Sequence, residues 1–200
     1  RRNREVGRPF IEHQLEIMDF YVALQCEVVR RGDLQLIPPD ELVRDFPDQT
    51  FAAQNPFALR AQVTHNGVMH EIGVVPDLAF GLRFPDGSRR CFLVEIDRGT
   101  MPVVRSDFQQ SSFARKMQGY LSASAARQHE RRFGWKAFRV VTVTTDAFRL
   151  ASMTDALGDI RVPMSPGPSL FFFTTRADIG ANGVLNGGWI DGNRRPADLA

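Results

Sequence analysis

The chain is poor in the residues that would mark most familiar chemistries. Its 200 residues include two cysteines, two tyrosines, two tryptophans and four histidines, and lysine occurs only at Lys116 and Lys136. Cys26 and Cys91 lack the spacing of a metal cluster and are too few for a disulfide scaffold. The expectation is two buried free thiols in a reducing, cytoplasmic setting. No apolar run is long enough to span a bilayer, and the Arg-rich start lacks the hydrophobic segment of a secretory signal, so no membrane partner is expected. There is no Gly-x-Ser-x-Gly elbow, no Cys/His constellation and no phosphate-cradling glycine loop, which argues against serine, cysteine and nucleotide hydrolases. His65, His70 and His129 have no mutual spacing that suggests a metal. No internal repeat is visible.

What is present is phenylalanine and arginine. Sixteen Phe suit a dry core, and the net charge is only +2. Arginine carries nearly all the positive charge; its planar fork suits phosphate, so the balance is compatible with nucleic acid without demanding it. The length suits one domain: a core over about residues 9–145, with C-terminal additions over 146–200.

Periodicity gives the elements. Pro9 to Arg31 reads as a helix, with Ile11, Leu15, Met18, Val22 and Val29 as an apolar stripe. Ile37 to Pro56 reads as a solvated Pro-rich excursion with at most a helical turn at Glu41–Val43. Leu59–Thr64 and Val68–Ile72 read as strands around Asn66-Gly67, a hairpin signal. A second hairpin follows, turning at Pro85-Asp86-Gly87-Ser88. Ser106 to about Arg131 reads as one long helix whose inner stripe is Phe113, Met117, Tyr120 and Ser124, with Ser106 and Gln109 in capping-box spacing. Phe138–Thr144 is a strand, Asp146–Leu157 a helix, and Leu170–Thr174 a strand, with Trp189 and Ile190 docking on the core. The order is α-β-β-β-α-β, an α/β fold with a mixed sheet flanked by helices.

The second hairpin carries the informative residues. Val74-Val75-Pro76-Asp77-Leu78-Ala79-Phe80 and Phe92-Leu93-Val94-Glu95-Ile96-Asp97 place three acids inside apolar strands, where an unpaired charge costs several kcal/mol. Hairpin counting about Gly87 sets Asp77 opposite Asp97 and diagonal to Glu95. Alternation puts Asp77, Ala79, Leu93, Glu95 and Asp97 on one face, and Leu78, Phe80, Leu82, Phe92, Val94 and Ile96 on the other. Like charges facing each other on a sheet require neutralisation. Two readings are open: a bound cation, or a structural network of the acids with Arg83, Arg98 or Arg105.

Pro76-Asp77 and Glu95-Ile96-Asp97 in this order resemble the PD-(D/E)xK nuclease superfamily, with a restriction-endonuclease-like core. More narrowly, the chain resembles the replication-relaxation family of plasmid and mobile-element proteins. That likeness rests on Glu12-His13-Gln14-Leu15 through Asp19-Phe20-Tyr21-Val22-Ala23-Leu24, on Val75-Pro76-Asp77, on Phe92 through Glu95-Ile96-Asp97-Arg98-Gly99-Thr100, and on Lys116-Met117-Gln118-Gly119-Tyr120. It covers roughly residues 10–145.

The superfamily resemblance implies Mg2+ or Mn2+ on Asp77 and Glu95, with Asp97 and Glu12 as further ligands, and phosphodiester hydrolysis. It departs at Asp97, which stands where a lysine two residues beyond the Glu is usual. Lys116, one turn before Tyr120 on a helix, is the substitute charge stabiliser. Arg98, Thr100, Arg105 and Tyr120 are the candidate DNA contacts. The family's members typically resemble a winged-helix segment ahead of such a core. The start without Met raises the expectation of an upstream DNA-binding domain or a partner protein. The two resulting functions are a metal-dependent nuclease-like DNA-binding domain of plasmid replication, relaxation or transfer, and an inactive DNA- or protein-binding module of the same fold.

Overall fold

The computed structural model describes residues 2–65 and 67–200, with side chains from residue 7 onward. Helix α1 spans Arg2–Arg31 and leads into strand β1, Gln35–Ile37. Two short helices follow, α2 (Pro39–Arg44) and α3 (Asp48–Phe51). The strands β2 (Leu59–His65) and β3 (Val68–Val74) pair with each other, and β4 (Leu78–Arg83) pairs with β5 (Arg89–Ile96). Then come α4 (Phe113–Ala125), α5 (Gln128–Phe133), β6 (Arg139–Thr144) and α6 (Ala147–Asp159). A 3-10 turn leads to β7 (Phe171–Thr175), α7 (Arg176–Asn182) and β8 (Ile190–Asp191).

The main sheet is mixed, in the order β1-β4-β5-β6-β7-β8; β2 and β3 form a separate ribbon. β1, β4 and β5 run antiparallel, β5, β6 and β7 parallel, and β8 returns antiparallel. β5 is central and buried on both faces, as its continuous run Cys91–Ile96 requires. One face, with Ala79, Cys91 and Leu93, packs under α4, α6 and the β2–β3 ribbon. The opposite face, with Phe80, Leu82, Phe92, Val94 and Ile96, packs under α1 and the Val184–Trp189 segment. The expected two-faced pattern of the hairpin therefore holds. Among the described residues no helix is long and apolar enough to cross a membrane.

Several expectations change. The hairpin turns about Asp86, with Phe84 N donating to Ser88 O at 2.9 Å. Leu78 therefore pairs with Val94, two residues from the expected register. That shift preserves the faces, because side chains alternate with period two, but it moves Asp77 beside Glu95 rather than Asp97. The stretch read as excursion supplies an edge strand and two helices: β1 pairs with β4, and Leu42 and Phe46 are buried.

The long helix is two. Ser112, not Ser106, caps α4 through Oγ, accepting from Arg115 N at 3.2 Å, and Arg127 at φ 51° breaks the chain between α4 and α5. The inner stripe of α4 is as expected: Phe113, Met117, Tyr120 and Ser124 are buried. In α1 the buried residues are Ile17, Phe20, Leu24 and Val28, while Ile11, Leu15, Met18, Val22 and Val29 face outward. Cys91 is buried, but Cys26 is exposed. Trp189 docks with its indole N–H donating to Val184 O at 2.7 Å. The Asn66 half of the first hairpin turn lies outside the described residues; Gly67 takes φ +76°.

Candidate functional site

β5 and β6 run parallel and end together, and the acids sit at that end, where open α/β sheets place their ligand crevices. Asp77 immediately precedes β4. Its backbone N–H bonds Val94 O at 2.9 Å, and its Oδ2 accepts from Ile96 N at 2.8 Å. Glu95 is the penultimate residue of β5 and is 2 % exposed. Asp97 follows the strand, its N–H bonded to Val143 O at 2.8 Å.

Helix α4 crosses this end and brings in Lys116 and Tyr120, one turn apart and on one face. Both reach Glu95: the Tyr120 hydroxyl donates to Oε1 at 2.5 Å, and the Lys116 ammonium donates to Oε2. α1 supplies His13, whose Nε2 lies 3.1 Å from Asp77 Oδ1. Asp77, Glu95, Lys116 and His13 line an open cleft of about 440 Å³ with Pro9, Thr100 and Met101, and Tyr120 lies buried beneath it. A larger hollow, about 690 Å³, opens at the start of β5 and β6 beside Arg90, Trp135 and Arg139. It is away from the three acids, so the smaller cleft is the chemical candidate.

Burial raises the Glu95 carboxyl to about 7; the Asp77 charge adds to that rise, and Lys116 and the Tyr120 hydrogen bond oppose it. Burial also opposes the Lys116 charge, but the carboxylates of Glu95, Asp77 and Asp97 outweigh it and hold the ammonium's proton above the usual lysine value. The Tyr120 hydroxyl is pushed well up by burial and by Glu95. At neutral pH the cleft thus holds a charged lysine beside a carboxyl poised near its own titration.

The other expected site residues are placed differently. Asp97 is gripped by Arg149 from α6, with Nη2 2.8 Å from Oδ1, and by the Thr144 hydroxyl, 2.7 Å from Oδ2. Its side chain is 4 % exposed; Asp97 lines the same cleft as Asp77 and Glu95, with both of its oxygens engaged by Arg149 and Thr144. Glu12 is drawn to Arg98, at 2.5 Å, and to Arg8, at 3.0 Å. Arg98 is itself spent on the Pro9 carbonyl and Glu12 and is largely covered. Arg105 bonds Gln110 and the Ser111 carbonyl inside its own loop. Tyr120 is 1 % exposed, which places it under Glu95 rather than open to a nucleic-acid strand. Thr100 lines the cleft.

The structural network expected of Arg83, Arg98 or Arg105 is instead made for Asp97 by Arg149, which the sequence reading did not single out. His13 on Asp77 had one available signal: it lies four and seven residues before Ile17 and Phe20, on the same buried face.

The fit to a divalent cation can be judged from these contacts. Among the described residues no three acid, His or Cys side chains gather into a ready-made metal cluster. Two carboxylates of neighbouring strands do line one cleft, Asp77 bonded to His13 and Ile96 N and Glu95 to Tyr120 and Lys116, so a cation there would displace Lys116 from Glu95. That set suits a hard cation that keeps most of its water and takes only one or two protein carboxylates, as magnesium does. Asp97 has its oxygens bonded to Arg149 and Thr144, and Glu12 is bonded to Arg98 and Arg8.

A family model described as replication-relaxation matches residues 1–137. No curated protein and no solved structure matches the chain. With more than half of its length matched, and with the residues that line the acid-bearing cleft inside that stretch, the chain belongs to the replication-relaxation family.

Proposed function

We propose that this chain is a restriction-endonuclease-like domain that engages DNA at the Asp77–Glu95–Lys116 cleft with one Mg2+ or Mn2+ and hydrolyses a phosphodiester there, in plasmid replication, relaxation or transfer. The observation that carries the reading is the convergence of Asp77, Glu95 and Lys116 from a strand entry, a strand end and a helix in one open cleft. Asp77 and Glu95 would hold the ion; when bound, it supplies Lewis acidity to the scissile phosphate and to an attacking water. Lys116 answers the negative charge that develops on the phosphate, the role its position beside both carboxylates allows. For this to happen Lys116 must exchange its bond to Glu95 for one to the phosphate. Tyr120 then remains as the donor that orients Glu95, and His13 does the same for Asp77. Thr100 and the nearby backbone offer phosphate contacts at the rim.

The test is calorimetric titration of Mn2+ into metal-stripped protein, followed by plasmid nicking in Mn2+. Binding that disappears in Glu95→Gln and Asp77→Asn, with nicking lost in Lys116→Gln while metal binding persists, is the expected result. Absence of metal binding in the unaltered chain refutes the reading.

A second reading has its own observation: Asp97, at the position where the superfamily's lysine is usual, is clamped by Arg149 and Thr144. A silent DNA-binding module predicts salt-sensitive DNA binding without nicking in any metal.

A further inference from the structure

The outward face of α1 carries more apolar surface than a lone helix needs. Ile11, Leu15, Met18, Val22 and Val29 are between 49 % and 80 % exposed, and they lie on the side of α1 away from Ile17, Phe20, Leu24 and Val28. With Gln25 they are spaced 4, 3, 4, 3 and 4 residues apart. This seven-residue repeat differs from the spacing of the inward stripe, which follows the sheet surface. A strict seven-residue repeat keeps a seam aligned along a partner helix over three turns or more, whereas contact with a globular surface does not demand it. With ordinary residue areas, the exposed fractions amount to roughly 500 Å² on one copy, so these residues supply at most about 1,000 Å² to a pair, near the lower bound for a specific interface, before flanking residues count.

We infer that α1 is a dimerisation helix, and that the occupant of this seam is α1 of a second copy of the chain, parallel to the first. The seam is self-complementary, as a two-fold interface requires. Val22 and Val29 fall with Leu15 at the positions where β-branched residues favour two-stranded coils, and Ile11, Met18 and Gln25 fall at the alternate positions. The parallel register sets Gln25 against Gln25, where the two amides can bond each other. The antiparallel register would set Gln25 against Leu15 and bring Asp19 to face its own copy.

The seam runs on the same helix that contributes Pro9, Phe10 and His13 to the cleft wall. A parallel pair therefore places two clefts at one end of the shared helices, the arrangement for acting on both strands of a duplex or on two neighbouring phosphates. The pairing itself does not depend on what the cleft does.

Sedimentation equilibrium on the full chain tests it, with Leu15→Glu/Val22→Glu as the disrupting variant. The expected result is a dimer in the unaltered chain, a dissociation constant at least about tenfold weaker in the variant, and a variant that keeps the native circular dichroism, since both positions are exposed in the monomer, with a thermal midpoint that no longer rises with protein concentration. A monomeric unaltered chain, a variant that still dimerises, or a variant that unfolds overturns the inference. Orientation is read from Val29→Cys in a Cys26→Ser background: mild oxidation links parallel copies through this position, and a dimer that resists linking refutes the parallel register.

Discussion

Glu95→Gln offers the sharpest test of the electrostatics in the cleft, because it changes one buried atom and leaves the fold's shape intact. The Glu95 carboxyl is raised from an ordinary 4.5 to about 7, so the native chain holds a proton that the unfolded chain has released over that interval. The sign follows: the contribution of this carboxyl to native stability is fully present below about pH 4.5 and is lost as pH rises through about 7. Over that span the loss from this one group is about 3 kcal/mol. Glutamine cannot titrate; its oxygen can still accept from Tyr120, and its NH2 group, a donor, loses the bond from Lys116, a cost that is the same at both ends of the pH range. The informative quantity is the difference in unfolding free energy between variant and parent, measured by urea denaturation across pH 4.5 to 8.5 in metal-free buffer. Relative to the parent, the variant should gain about 3 kcal/mol from the acid end to the alkaline end, and the gain should flatten above pH 8. A difference that stays constant across the range refutes the reasoning, since Glu95 would then be as acidic folded as unfolded.

Removal of Arg149 should be costly, because it leaves Asp97 buried with only Thr144 as side-chain partner. Arg149→Met is expected to destabilise by about 3 kcal/mol in urea, and the double variant with Asp97→Asn by clearly less. Gly119→Val should strain the seat of the β2–β3 ribbon on α4, where even a Cβ would approach Val74 Cγ1 to 2.8 Å and Ile72 Cγ2 to 3.0 Å; thermal unfolding should report about 1–3 kcal/mol. The two thiols should separate kinetically: a thiol reagent modifies exposed Cys26 in the native chain, while Cys91, raised to about 11 by burial, reacts only on unfolding, as counted by mass spectrometry.

Much of the hairpin was legible because its chemistry is local. Alternation over Leu78–Leu82 and Phe92–Ile96 assigned the faces, and Asp86-Gly87 marked the turn. The register was missed by two residues, because the turn centre is set by hydrogen bonds that either residue could have anchored. The stripe of α1 was harder, since this helix is apolar on two sides. Sequence alone does not say that Ile17, Phe20, Leu24 and Val28 face the sheet while the seven-residue repeat faces away. The same ambiguity left His13 open between a packing residue and a site residue, and its partner Asp77, 64 positions away, was not foreseen. Lys116 and Tyr120 were readable from a four-residue spacing, whereas Arg149 reaches Asp97 across 52 positions, with no local pattern to announce it. The helix break at Arg127 depends on a left-handed backbone that arginine does not advertise.

α1 is one continuous helix fastened by two different chemistries. From Ile17 onward it is held by apolar packing. Around the cleft it is held by charge: Arg98 on the Pro9 carbonyl and Glu12, Arg176 on Glu16, and His13 beside Asp77. Salt weakens the second kind of bond far more than the first. Rising ionic strength should therefore peel the first turns outward while the sheet stays closed, so that amide exchange in residues 9–16 speeds up without a matching change in residues 20–28. If a nucleic-acid backbone binds as proposed, it competes for the same arginines and loosens the wall of the cleft.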